Sequence, residues 1–313
     1  MYSAITRGED YLRQLCAFIG EVYPLRPSAI APAKRGYYGE TWRLDAAQGR
    51  YFLKLDRSPH QAVYARSFPV IEHLCGHGID FISRIVKTRG GQLYTRFDGG
   101  VLGVFNWIDG ENRQDETTKA PEYQMLARIY TVDTVGLRLP REDFSSRAAD
   151  LFYSQWARIE DEEILGLLER KRDTIDLNAR RLRHFSRLCA GDNAGYVVTH
   201  GDAGGNVIVG GDRFSLVDWD DPRLAPPERD AWFCMHWPWA MEAFRAALRQ
   251  NGIEYALRPE RLAYYCYHMF FFYLSEILDT LFALGPRDGA ILDYLSDYLN
   301  GWIVDNLAFA EGI

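Results

Sequence analysis

Between residues 196 and 217 the helical second half of the chain turns to strand, and this interruption constrains the fold more than any other feature. Residues 196–199 form an apolar run, 207–209 and 214–217 form two more, and Gly210-Gly211-Asp212 supplies a turn between the last two. The first run delivers His200-Gly201-Asp202 into a loop whose glycines allow tight turns and close backbone approach. Asn206 follows four residues after Asp202, and the returning strand ends at Asp218. A hairpin of that size brings the chain back, so the sequence predicts Asp202, Asn206 and Asp218 near one another. Taken singly, each would read as a turn-capping Asp or Asn. Three oxygen-bearing side chains together suit magnesium, and a carboxylate left free of metal can accept a proton from a hydroxyl.

The remaining patterning surrounds this segment with an α+β architecture. Up to residue 108 the chain is strand-rich. Trp42 and Leu44 alternate with Thr41 and Arg43, residues 51–55 follow a turn, and Asp98-Gly99-Gly100 joins strands at 92–97 and 101–108. A helix end is expected over 69–78, and Pro121 is placed as the first residue of a helix running to about Asp133. Helical patterning resumes at 148–188 and again beyond Pro227, in pieces near 228–250, 259–284 and 287–308. The expected division is a β-rich lobe over 1–108 and a larger helical lobe with a β insert over 109–313.

Composition narrows the function classes. Apolar residues make up 47% and charged residues 25% of 313, as in folded globular chains rather than disordered or coiled-coil ones. A formal charge of −7 gives no basic footprint, so no nucleic-acid partner is expected. Cys16, Cys75, Cys189, Cys234 and Cys266 form no Cys-x-x-Cys pair, so neither a disulfide framework nor a zinc knuckle is expected. A reducing cytoplasm is the simplest compartment. Residues 1–10 carry Arg7, Glu9 and Asp10 without an apolar run, so no signal peptide is expected. Residues 263–284 imitate a membrane span in aromatic content, but His268, Glu276 and Asp279 argue for a buried helix lining something polar.

His200-Gly201-Asp202 with Asn206, then Val217-Asp218-Trp219 and a downstream Arg229-Asp230, resembles the aminoglycoside phosphotransferase and choline kinase-like family, which shares the protein-kinase fold. Residues 217–233 resemble most the branch containing spectinomycin phosphotransferase. The resemblance is dense over 198–233, thinner over 53–111 and architectural elsewhere. It implies a bilobal protein-kinase-like fold, ATP (or GTP) and Mg²⁺ as cofactors, and an alcohol-accepting phosphotransferase. By the same resemblance Asp202 is the catalytic carboxylate, Asn206 and Asp218 hold magnesium, and Asp230 braces the loop. His200 braces it as well, through hydrogen bonds. One departure stands out: the family places its Asn five residues after the Asp, and here the spacing is four.

In the first lobe, Lys54 points opposite to Leu53 and Leu55, and the resemblance puts a Lys here on the nucleotide phosphates. Gly36 and Gly39 flank a candidate phosphate loop, and Asn106, Trp107 and Ile108 form a candidate hinge against adenine. The family's Lys-pairing Glu falls on Ser67, which leaves Glu72 as the nearest alternative.

The acceptor is expected in the helical lobe, among Trp232, His236, Trp237, Glu276 and Asp279, where aromatics cover sugar faces and carboxylates take an ammonium group. Aromatics at helical spacing are otherwise core. Asp220 and Asp221 read chiefly as surface charge, with Asp220 retained as a substrate candidate. The function expected is γ-phosphoryl transfer to a hydroxyl of an aminoglycoside-like or aminocyclitol-like (spectinomycin-like) acceptor, as in antibiotic-resistance enzymes. The alternatives are a metabolic kinase for choline, homoserine or a sugar, and a nucleotide-binding protein without phosphotransfer. No membrane partner is expected.

Overall fold

The chain is described from a computed structural model, over residues 7–33, 39–57, 61–284 and 289–313. It forms two compact units, Met1–Pro140 with His200–Arg223, and Arg141–Thr199 with Leu224–Ile313. The α+β class expected from the sequence is the class observed: an antiparallel sheet in the first unit and mainly helices in the second.

The first unit begins with helix α1 (Glu9–Val22), which the strand-rich reading of this region does not include. Leu15 and Ile19 repeat at helical spacing and are fully buried against the sheet. That sheet runs β1 (Pro27–Pro32), β2 (Glu40–Ala46), β3 (Gly49–Asp56), β5 (Gly100–Asn106) and β4 (Thr95–Phe97), in that spatial order. Trp42 and Leu44 of β2, Leu53 and Leu55 of β3, and Leu102 and Val104 of β5 close one core with α1. Period-two alternation then puts Lys54 on the other face, opposite Thr41 and Gly103. The expected Asp98-Gly99 turn joins β4 to β5, both residues holding positive φ.

Helix α2 (Gln61–Gly76) carries Pro69 in its interior. Helix α3 (Glu116–Tyr130) starts five residues before Pro121, correcting the start expected there. Asp115 accepts from the Thr117 amide in a capping box with Thr118, and this cap sets the start. Strand β6 (Glu111–Arg113) pairs with Val207–Gly210, which pairs with Arg213–Leu216. The hairpin around the sequence motif therefore packs into the unit that holds the sheet.

At that join two glycines face one another. A Cβ on Gly110, whose φ is +141°, would lie 2.5 Å from the Val209 carbonyl oxygen. Gly110→Ala should therefore cost about 2–4 kcal/mol of stability, through backbone strain and overlap together. An unfolding free energy from denaturant titration within about 0.5 kcal/mol of wild type would show that the two strands separate easily.

In the second unit, α4 (Arg147–Trp156), α5 (Glu162–Arg170) and α6 (Arg172–Cys189) precede the strand Val197–Thr199. The expected helical piece at 228–250 is broken. A short helix, α7 (Glu228–Ala231), and a single 3₁₀ turn precede α8 (Pro238–Gln250), where Pro238 occupies the first helical turn. Helix α9 (Pro259–Leu284) packs against α4, α6 and α11 (Ile303–Glu311). Helix α10 (Gly289–Asn300) ends before Gly301, dividing the last expected piece. The aromatic run of α9 is core: Tyr264, Tyr265, Tyr267, Phe270 and Phe271 are all buried. Tyr265 donates to Glu142 at 3.0 Å. Among the described residues no helix is long and apolar enough to cross a membrane.

Candidate active site

The loop after Val197–Thr199 is pinned through His200, which is 2% exposed. The Asp202 amide donates to His200 Nδ1 at 3.2 Å, so the ring proton lies on Nε2, 2.9 Å from the Val217 carbonyl oxygen it donates to. His200 thus ties the start of the loop to the strand end that carries Asp218, and Trp219 packs edge-on against the ring, centroids 4.6 Å apart. A 3₁₀ turn at Ala203–Gly205 then delivers Asn206 back to Asp202. Asn206 Nδ2 donates to the Asp202 backbone oxygen at 2.6 Å and to its Oδ2 at 3.1 Å. Asn112 of β6 donates to the Gly205 carbonyl at 2.9 Å and holds the turn from outside. The four-residue spacing is accommodated as one tight turn.

Asp218 follows with φ +66°, a left-handed conformation that Asp adopts more readily than most residues. Its Oδ1 accepts from Lys54 Nζ at 2.7 Å, and Asp220 Oδ2 accepts from the same nitrogen at 2.6 Å. Burial works against the Lys54 ammonium, but attraction and hydrogen bonds from both carboxylates outweigh it and raise its pKa. Asp218 also resists burial: Lys54 keeps its pKa below the ordinary value. Asp220 is the weaker acid, pushed up to about 6 by burial and by the Asp218 charge.

Asp220 is thus neither surface charge nor grouped with the acceptor candidates; it shares Lys54 with Asp218. The sequence did hold a signal for this. A second acid stands only two residues past Asp218, close enough along the chain to reach the same partner. Glu72 turns elsewhere and pairs with Lys87, while Ser67, 2% exposed, lines the same cleft as Lys54.

That cleft, within the first unit, has a volume of about 350 Å³. Phe52, Ile71, Phe105, Ile208 and Val217 supply apolar walls, and Lys54, Asn206, Asp218 and Asp220 supply charge and hard oxygens. Asn106, Trp107 and Ile108 also line it. Two of their backbone amides are already used: Asn106 donates to the Arg84 carbonyl at 2.8 Å, and Trp107 to that of Arg50 at 3.2 Å. Gly39 lies just before β2 with φ +72°, where a Cβ would come 2.6 Å from the Leu55 carbonyl oxygen. Gly36 lies outside the described residues.

The acceptor candidates belong to the second unit. Trp232 is buried, its ring 5.6 Å from Phe233, and Trp237 is exposed and stacked on Trp239 at 5.7 Å. His236 Nδ1 lies 3.3 Å from Asn306 Oδ1. Asp230 is buried on α7, and the neighbouring Arg229 donates to Thr199 Oγ1 at 3.0 Å, one residue before the His200 loop. Asp279 accepts from Gln155 of α4 at 2.8 Å. Burial, then the Asp279 charge, pushes Glu276 up to about 7.

A carboxyl whose folded pKa exceeds its unfolded value binds its proton more tightly when folded, so it subtracts stability as pH rises from about 4.5 through 7. Glu276→Gln should remove that loss. The variant should gain about 1–2 kcal/mol relative to wild type at pH 8, allowing for residual solvent, and nothing at pH 4. Parallel stability curves for the two proteins across that range would contradict this.

Comparison with known proteins places these features. No curated protein sequence matches the chain. Among solved structures it is similar to spectinomycin phosphotransferase APH(9)-Ia crystallised with ADP and spectinomycin, at TM-score 0.77 and 18% identity, covering 95% of this chain and 98% of that one. A microcompartment-associated aminopropanol kinase matches at TM-score 0.62 and 15% identity, covering 96% of each chain. A macrolide 2′-phosphotransferase from Brachybacterium faecium matches at TM-score 0.57 and 17% identity, covering 93% of this chain and 98% of that one. These likenesses show the protein-kinase-like α+β fold. The phosphotransferase enzyme family itself matches residues 29–265, a span that runs through β2 to the first two turns of α9 and holds the residues that line the Lys54–Asp218 cleft; the chain belongs to that family.

Proposed function

We propose that this protein transfers the γ-phosphoryl group of ATP to a hydroxyl of a small, cationic acceptor of the aminocyclitol or aminoglycoside kind. The observation that carries the reading is one cleft in which Lys54, Asp218 and Asn206 meet, with Asp202 hydrogen-bonded to Asn206 beside it. The donor set fits the nucleotide and its metal. Apolar walls suit a flat base, an ammonium suits phosphate oxygens, and amide and carboxylate oxygens suit Mg²⁺. Ile108 is the hinge residue left to offer its backbone N–H to adenine, since those of Asn106 and Trp107 are spent.

Bound magnesium would neutralise charge on the phosphates, held by Asn206 and Asp218. Lys54 would fix the phosphates by charge, and His200 would keep the loop and Asp218 in register. Asp202 would orient the acceptor hydroxyl and take its proton as the acceptor oxygen bonds to the γ-phosphorus. The bond from that phosphorus to the bridging oxygen breaks, and ADP leaves. The cationic acceptor is argued from Glu276 and Asp279, three apart on one helix, with Trp237 and Trp239 as exposed stacking surfaces. Spectinomycin and ADP in the similar structure make an aminocyclitol the first acceptor to try.

The test is ADP release with Mg-ATP across spectinomycin, several aminoglycosides, choline, homoserine, aminopropanol and simple sugars. Turnover that depends on one cationic acceptor is expected. ATP binding with no acceptor-dependent turnover would favour a binding-only protein.

A further inference from the structure

Neither carboxylate on Lys54 comes from the neighbouring helix. The one carboxylate of α2 is Glu72, which pairs with Lys87, and the α2 residues lining the cleft are Ser67 and Ile71, which carry no charge. Both carboxylates on the lysine come from the segment that closes the hairpin, Asp218 at 2.7 Å and Asp220 at 2.6 Å.

These two acids are not equivalent. Asp218 stands at the strand end tied to His200 through Val217, and the Val217 amide donates to the Asn206 carbonyl at 3.0 Å. It therefore belongs to the Asn206 group, the oxygens suited to a metal. Asp220 lies two residues on, past the ring of Trp219, which is 4% exposed and fixed by a hydrogen bond to the Leu216 carbonyl at 3.3 Å. One ammonium against two carboxylates leaves a net negative charge on the cleft wall, enough for one acid to serve a cation while the other keeps the lysine.

We propose that Asp220 is a positioning residue for phosphoryl transfer: it holds the Lys54 ammonium in place from the hairpin side, at the position left uncharged by Ser67 on α2. The inference rests on the phosphotransfer reading for its consequence, although the contact itself does not. A lysine side chain has four rotatable bonds, and a fixed second partner keeps its charge aimed when Asp218 is engaged elsewhere. A metal ligand and a lysine holder have different signatures. Losing a ligand raises the metal concentration needed for half-maximal rate, and a carboxylate on α2 cannot replace it. Losing the holder lowers kcat with little change in that concentration, and a carboxylate at residue 67 should substitute for it.

The experiment compares wild type, Asp220→Asn and the double variant Asp220→Asn with Ser67→Glu. In the nucleotide-free protein, Lys54 acylation by an amine-reactive ester is followed by mass spectrometry. Asp220→Asn should raise the Lys54 labelling rate about fivefold, and the double variant should return it close to wild type. In turnover with Mg-ATP, Asp220→Asn should lower kcat about 10–50-fold with the half-saturating Mg²⁺ changed less than about threefold; Ser67→Glu should recover at least about fivefold of the loss. Unchanged Lys54 labelling in Asp220→Asn would overturn the proposal, and so would a more than about tenfold rise in the Mg²⁺ requirement without rescue. If wild type turns over no acceptor, the phosphotransfer reading fails, and the labelling comparison still decides whether Asp220 holds Lys54.

Discussion

Asp202→Asn should lower kcat by about 10²–10⁴-fold while leaving nucleotide affinity within about twofold of wild type. The change is isosteric, so the loop should keep its shape. Asn206 Nδ2 donates to the Asp202 backbone oxygen and to Oδ2, and an amide oxygen can accept the second bond as the carboxylate does. The Asp202 amide that donates to His200 is untouched. What disappears is the carboxylate that the proposed mechanism uses to take a proton from the acceptor hydroxyl. Asp202 is exposed and does not line the cleft that holds Lys54, Asp218 and Asp220, so Mg-ATP binding should hardly register the change. Isothermal titration with a non-hydrolysable analogue, beside steady-state kinetics, separates the two quantities. A variant retaining a tenth or more of wild-type kcat would remove Asp202 from the chemistry.

Asp218→Asn should cost about 10²–10³-fold in kcat/KM for the nucleotide and raise the Mg²⁺ concentration required, because one charge is lost where the proposed mechanism brings cation and phosphates together. Asparagine is the informative substitution. Position 218 has φ +66°, which Asn tolerates as well as Asp does, whereas Ala would add strain of its own. Lys54 would keep Asp220 as a partner, so the stability loss should be only about 1 kcal/mol and the protein should remain folded at assay temperature. Metal titration of the rate is the check. Normal kcat/KM at normal Mg²⁺ would mean that this carboxylate serves Lys54 alone.

These two effects lie in a stretch that was legible from the chain. Asp202, Asn206 and Asp218 fall within seventeen residues, and a hairpin with a Gly-Gly-Asp turn has few ways to close, so local geometry nearly determines their meeting. Four of the five strands of the sheet were readable for a similar reason: Trp42, Leu44, Leu53 and Leu55 alternate, and alternation fixes the face that Lys54 must avoid, whereas β1 was not among the strands expected. Helix α1 was lost because its apolar positions are diluted by Arg13, Gln14 and Glu21 and no side-chain cap marks its start. Pro121 misled because proline suits a first turn, and the Asp115–Thr118 capping box that sets the start lies upstream of it.

The partner of Lys54 was harder to read, because it depends on contacts 164 and 166 residues apart in sequence. Sequence position alone pointed to Glu72, and nothing near it announces that Lys87 takes that carboxylate. The acceptor candidates were the least legible. Trp232 is core and Trp237 is exposed although both sit in one aromatic-rich segment, and only packing distinguishes them. Glu276 and Asp279 share a face by spacing, but the burial that pushes Glu276 up to about 7 comes from the fold around α9.

The most direct measurement is the mass of the acceptor after incubation with Mg-ATP, for wild type and Asp202→Asn side by side. A gain of one phosphoryl group on a cationic, hydroxylated acceptor with wild type, and almost none with the variant, is the predicted result. Equal phosphorylation by the two proteins, or ATP consumed with the acceptor unchanged, would contradict the account.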